Sequence, residues 1–352
     1  MKIRLAVLEK DRIYLNRMAA VFGGKYADKC EMHGFTDLEE AMAALERSGI
    51  DVLLANANFD IDVNAIPKRC GFAYLVESAD IDTVKDQPAI SKFQMADQIY
   101  KQVQMVYSDH ASHIGFKMDG DSARTILFTS VSGGVGSSTL AAACARHFAA
   151  MGKKVMYLNL EKFGVPDHFF QGQGQYTMSD VIFAVKSKKP NLNIKLQSCV
   201  RQDHSGVRFF AQAPIALDML ELKSEDITTL LETLQRTCDN EYIIVDADFS
   251  PDKQTLELMR QMHAIVLVGS GTIESNLKTE RAYEALNILE ANADLPLSKR
   301  MCFMYNMVSS QGGSSIACKD LRILGGAPKY NRTEPEHLLG QLQQLDEFNK
   351  IL

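Results

Sequence analysis

With 352 residues, the chain exceeds one comfortable core and fits about two domains of ~150 residues each. Hydrophobic residues make up 46% and charged residues 23%, as in an ordinary soluble globular protein, and a net charge of -6 argues against a nucleic-acid binder. The seven cysteines are odd in number and form no C-x-x-C pair, so they support neither a disulfide frame nor a zinc site and suit a reducing compartment.

Residues 3–8 read as a strand, and Glu9, Lys10 and Asp11 interrupt the apolar run before it could serve as a signal peptide or membrane span. A cytoplasmic location is therefore expected. Helical periodicity follows over 12–22, a weak strand over 30–35 and a strongly helical run over 38–47. Strands are expected over 51–56 and 72–76, and a closing helix over 97–107. Strands alternating with helices imply a parallel sheet covered on both faces.

This order resembles a response-regulator receiver domain over residues 1–107. The resemblance places the receiver's acidic cluster at Glu9 and Asp11, its phosphoacceptor at Asn56, its hydroxyl at Ser78 and its lysine at Lys92. An amide cannot become an acyl phosphate, so phosphorylation is not expected and the domain is read as a degenerate receiver acting as an interaction module. Charges without partners normally sit in water, so Glu9, Asp11 and Lys92 are expected as solvated loop-end groups that hold no metal. Residues 108–123 are polar and aperiodic and form the expected linker. His110 and His113 within it lack a third metal ligand of suitable spacing.

The second domain, residues 124–352, opens with a strand over 125–128, a glycine-rich loop and an alanine-rich helix over 141–151. That context gives a glycine loop its phosphate-binding meaning, because turned backbone N–H groups and a helix N-terminus converge on one point. Strands over 154–161, 242–246, 265–268 and 301–306 follow, with helices over 217–222, 224–237, 256–262 and 273–291. Asp246 closes its strand as a Walker B carboxylate does. The fold class expected is α/β, with two doubly wound parallel-sheet domains: a receiver-like (flavodoxin-like) domain followed by a P-loop NTPase domain.

The loop Ser132-Gly133-Gly134-Val135-Gly136-Ser137-Ser138-Thr139 resembles the deviant Walker A box, K-G-G-x-G-K-[ST]-[ST], of the ParA/MinD class of ATPases. The resemblance implies ATP and Mg²⁺ as cofactors. It assigns Ser138 and Asp246 to the metal, Glu161 to positioning water, and Asn306 to adenine. It matches Leu324-Gly325-Gly326-Ala327-Pro328 to an L-G-x-x-P turn, which brings Pro328 to the nucleotide. Together with the receiver-like domain, it points to the CpaE/TadZ group of localisation ATPases in tight-adherence and Flp-type pilus assembly. A homodimer with nucleotide between its subunits is implied, with pilus machinery or a polar landmark recruited through the first domain.

Two departures bear on chemistry. Ser132 and Ser137 stand where the class carries lysines. A neutral hydroxyl donates a weaker hydrogen bond than an ammonium, and phosphoryl transfer depends on neutralising the charge that develops. ATP binding with slow or absent hydrolysis is therefore expected. An actively cycling MinD or flagellar-number ATPase is the alternative, and a ParA-type DNA-partitioning ATPase is further off because of the acidic balance. Asp248, in the place of a proline in relatives, is read as a solvated carboxylate. The tail over 337–348 carries leucines at helical spacing. From residue 329 onward it has four acids against three bases, so docking on its own domain is expected and direct membrane insertion is not.

Overall fold

The computed structural model describes residues 2–47, 49–110, 123–188, 191–237, 239–291, 297–308, 314–330 and 334–351. Most of the expected linker, His113 included, lies outside them, as does the side chain of His110. The chain divides into two α/β units. One comprises Met1–Phe116 with Ser187–Ser198, and the other Lys117–Lys186 with Cys199–Leu352.

The first unit runs β1 (Ile3–Leu8), α1 (Arg12–Lys25), β2 (Cys30–Phe35), α2 (Leu38–Arg47), β3 (Val52–Asn56), β4 (Gly71–Val76), β5 (Thr83–Val84), β6 (Gln87–Ser91) and α3 (Ala96–His110). Its sheet has the order β2-β1-β3-β4-β6-β5 and is parallel except for β5. β3 and β4 are buried along their whole length, which is why they read as continuous apolar runs and not as alternating ones. The β5–β6 connection is a two-residue turn with Lys85 and Asp86 both at positive φ, the primed hairpin geometry that matches strand twist. The resulting two-residue edge strand leaves little edge for foreign pairing. Leu5, Val7, Leu54 and Leu75 form one core with α1 and α3, and Leu8, Leu53, Phe72 and Tyr74 form the other with α2.

The chain from residue 124 onward runs β7 (Arg124–Thr129), α4 (Ser137–Ala150), β8 (Val155–Asn159), α5 (Met178–Lys186), then α6 (Leu192–Cys199), β9 (Arg201–Gln202), β10 (Arg208–Phe209) and α7 (Leu217–Leu220). It continues through α8 (Ser224–Thr237), β11 (Tyr242–Asp246), α9 (Lys253–Arg260), β12 (Ala264–Gly269), α10 (Ile273–Ala291), β13 (Met301–Val308), β14 (Arg322–Pro328) and α11 (Pro335–Leu342). The strand order is β14-β13-β12-β7-β11-β8-β10-β9, with only β9 antiparallel to its neighbour. From β7 the chain first winds towards β8 and later crosses to β12 on the other side. The loop after β7 therefore sits at the topological switch point, where open α/β sheets bind ligands.

Two features depart from expectation. The helix α6 lies within the stretch assigned to the second domain, yet it packs in the first unit: Ile194 joins that core and Lys195 pairs with Asp109. The segment 324–328 forms most of β14 and is not a turn. Gly325 at φ 136° and Gly326, whose Cβ would lie 2.8 Å from the Tyr305 Cβ, let an irregular strand pair closely with β13. The tail docks as expected, through α11 and a following 3-10 turn, burying Leu339, Leu342, Phe348 and Ile351 in the main core. Arg146 on α4 grips Glu336 with two bonds of 2.6 and 2.7 Å. No helix among the described residues is long and apolar enough to cross a membrane.

Candidate functional site

The loop between β7 and α4 has the shape of a phosphate cradle. Gly134 and Gly136 take φ values of 73° and 78°, which side-chain-bearing residues rarely adopt. At Gly136 space is closed as well, since a Cβ would meet the Asn306 Nδ2 at 2.5 Å. Gly136 also caps α4, and no side chain bonds the first amides of that helix. Unclaimed N–H groups and the positive end of the helix dipole therefore face the loop.

Around the cradle the strand ends supply carboxylates. Asp246, ending β11, is completely buried; its Oδ2 accepts bonds from the Tyr157 hydroxyl at 2.7 Å and the Asn159 amide at 3.0 Å. Its Oδ1 has no hydrogen-bond partner within 3.5 Å among the described residues. Burial first, and then the charge of Glu161, push its carboxyl up to about 8, with Tyr157 and Ser138 pulling the other way. Glu161 accepts from the Ser138 hydroxyl at 3.1 Å and from the Asn159 amide at 3.1 Å. Asn159 is thus a bracket between the two carboxylates, and Gly164 approaches it so closely that a Cβ would overlap its Oδ1.

The serines in place of lysine are accounted for separately. Ser132 is buried with its hydroxyl unpartnered, and the Ser137 hydroxyl lies 3.2 Å from that of Ser130. Gly133 and Gly134 are exposed, Val135 is buried and Thr139 half-buried in the first turn of α4. Asn306 donates to the Val135 carbonyl at 2.8 Å, so here it clasps the loop backbone. Pro328 is exposed at the end of the edge strand β14, three strands from β7. Asp248 is exposed, as expected, and accepts the Lys162 N–H at 2.9 Å.

Among the described residues no group of three or more His, Cys, Asp or Glu could hold a metal by itself. A nucleotide-borne cation fits the donors better. A buried carboxylate oxygen without a partner and the Ser138 hydroxyl beside Glu161 are the hard oxygen groups that Mg²⁺ takes together with phosphate oxygens. Asn159 stands in the first acidic place of the D-x-D pattern that ends at Glu161, but the part of Tyr157 in the bracket escaped sequence reasoning. Tyr157 sits in an all-buried strand, where nothing distinguishes a working hydroxyl from core packing.

The receiver-type site of the first unit is built differently from expectation. Glu9 and Lys92 are not solvated; both are buried, and their side chains pair at 3.1 Å. The same Glu9 oxygen accepts from the Asn56 amide at 2.7 Å. Burial alone would raise the Glu9 carboxyl, but bonds from Asn56, the Asp11 N–H and Lys92 outweigh it and hold it below the usual range. Lys92 also reaches Glu77 at 3.3 Å. The reason for the burial is that a charge can leave water when it is paired and hydrogen-bonded. Asp11 is exposed, as expected, but it serves as the N-cap of α1, accepting from Ile13 and Tyr14 N–H groups. Ser78 is exposed and accepts only a local bond from the Asp80 N–H.

A family model described as "TadZ-like, receiver domain" matches residues 1–108. The first domain is a TadZ-like receiver domain. The second unit shares its fold with three solved structures. A ParA family ATPase from Chlorobium tepidum has 16% identity and a TM-score of 0.52, covering 66% of this chain and 97% of that one. A plasmid partition protein from Borrelia burgdorferi has 16% identity and a TM-score of 0.50, covering 66% and 100%. The MinC:MinD cell division complex of Aquifex aeolicus has 17% identity and a TM-score of 0.50, covering 65% and 96%. At such identities the likeness establishes the fold. No curated protein matches the chain. A TadZ-like receiver domain joined to a ParA/MinD fold matches the organisation of a CpaE/TadZ-type protein.

Proposed function

We propose that this TadZ-like chain binds ATP with Mg²⁺ in the cradle 132–139, dimerises around the nucleotide and hydrolyses it slowly or not at all. It would act in the cytoplasm as a positional scaffold for a tight-adherence or Flp-type pilus, with the receiver-like domain recruiting the machinery or a polar landmark. The observation that carries the nucleotide reading is the loop itself: two left-handed glycines and an uncapped helix N-terminus at the sheet's switch point. Ser138 and Asp246 would hold Mg²⁺, which neutralises the charge of the β- and γ-phosphates. Glu161, beside the Ser138 hydroxyl, would orient a water. The lysine-less loop supplies no cation of its own for the transition state, which favours a binding switch over a turnover enzyme.

The receiver-like domain contributes no phosphotransfer to this scheme, because Asn56 is an amide and its neighbours are committed to each other. The test measures three things on the full chain: fluorescent ATP binding, phosphate release, and molar mass by light scattering with and without ATP–Mg²⁺. Binding, a doubled mass and negligible release are expected. Brisk Mg²⁺-dependent release would instead identify a cycling ATPase.

A further inference from the structure

A cradle that has lost both lysines still faces a polyanion, and the carboxylates around it make the field worse. Asp246 ends β11, and Glu161, Asp248 and Asp252 stand on the loops that follow β8 and β11. Two clefts open along these loops, one beside Glu161, Phe163 and Gln212 and the other beside Asp248 and Asp252. Among the described residues, Lys162 is the one lysine or arginine that lines either of them.

The backbone around Lys162 is pinned at three successive residues. The Leu160 N–H donates to the Asp246 carbonyl at 2.7 Å, the Glu161 N–H to the Asn159 side chain at 3.2 Å, and the Lys162 N–H to the Asp248 carboxylate at 2.9 Å. Its side chain, by contrast, is exposed; its charge acts at longer range, on the Asp252 carboxylate, whose pKa it helps to lower. The preceding residue, Glu161, touches the Ser138 hydroxyl at 3.1 Å, so the anchored backbone stands at the mouth of the cradle. A lysine is a compact charge on a flexible stem, suited to reach a phosphate from a fixed anchor.

We propose that Lys162 supplies the cation missing from the loop, binding the triphosphate of ATP from the strand-end loop after β8. This rests on the nucleotide reading above and deepens it. The positive charge has moved from the loop that wraps the phosphates to a neighbouring loop bonded to both Asp246 and Asp248, so the charge contact and the carboxylates share one support. Lys253, exposed at the start of α9 and paired with Glu257, has the same charge but no such anchor, and provides a control.

The experiment titrates the full chain with a fluorescent ATP analogue in the presence of Mg²⁺, comparing the parent with Lys162→Gln, Lys162→Arg and Lys253→Gln. Thermal melts without nucleotide check that each variant folds. Losing one charge-assisted contact should weaken binding by about tenfold to a hundredfold in Lys162→Gln. Lys162→Arg and Lys253→Gln should stay within about threefold of the parent. Equal binding by the parent and Lys162→Gln would refute the role of Lys162 while leaving the nucleotide site intact. Equal weakening by Lys162→Gln and Lys253→Gln would also refute it, since net charge alone would then account for the loss. A folded parent that binds no ATP would remove the nucleotide reading itself, and with it this inference.

Discussion

Asp246 shows how a single residue can be prepared for a ligand at a cost to the free protein. Its carboxyl is completely buried, one oxygen has no partner, and its protonation is favoured up to about 8. An acid whose folded value lies above its unfolded one gives stability that is complete below the unfolded value of 3.8 and is lost as pH rises towards about 8. Asp246→Asn removes that slope. Its melting temperature without nucleotide should increasingly exceed the parent's as pH rises from about 4 to about 8, with a gain of about 1–3 kcal/mol at the upper end. Binding of ATP–Mg²⁺ should weaken in the same variant, and the parent should release a proton on binding near neutral pH. Calorimetry in buffers of different ionisation enthalpy reads that proton. The Glu9–Lys92 pair is the opposite case, two buried charges already satisfied by each other and by Asn56.

At the scale of the element, the proposed function assigns binding and turnover to different features of the loop and helix α4. The cradle's backbone geometry depends on Gly134 and Gly136, whereas in the proposed function its chemistry would depend on what stands at 132 and 137. The Ser137 hydroxyl is engaged with Ser130, and Ser132 is buried without a partner, so neither presents a charge. Introducing lysine at both places should raise phosphate release by at least about tenfold, because a single transition-state cation contributes about 10³–10⁵-fold in related chemistry. Release no faster than the parent's, in a variant that still binds ATP, would show that the missing cations are not what limits turnover. Helix α4 is fixed from behind by the tail, through Arg146 with Glu336 and His147 with the Gln343 carbonyl at 2.8 Å. The tail is thus part of the core that supports the loop.

For the whole molecule, the order of elements along the chain is not the order of the units. The chain leaves the larger unit after Lys186, contributes α6 to the smaller one, and returns at Cys199. Ile194 is buried in the receiver-like core, and Lys195 and Ser198 are buried beside it. Ile194→Ala should destabilise that unit by about 2–5 kcal/mol. Hydrogen exchange should then show lost protection in β1, β3 and α3 with β7 and β11 unchanged. Uniform loss across both sheets, or none, would contradict the assignment of α6.

Much of this was legible in residue order, because it depends on local chemistry. Alternating strands and helices specified two parallel sheets, the glycine spacing specified a cradle, and Asn56 excluded an acyl phosphate. The apolar spacing of the tail and its lack of a basic face anticipated its docking. What the tertiary structure alone decided depends on groups far apart in sequence. Glu9 and Lys92 are 83 residues apart, and each is a solvated charge until the other neutralises it. Tyr157 and Asp246 are 89 apart, and a tyrosine in an apolar strand shows no role until a carboxylate is buried against it. A short helix in the second half of the chain carries no mark of the core it will enter. Periodicity reports which face of an element avoids water, and only packing decides which surface that face meets.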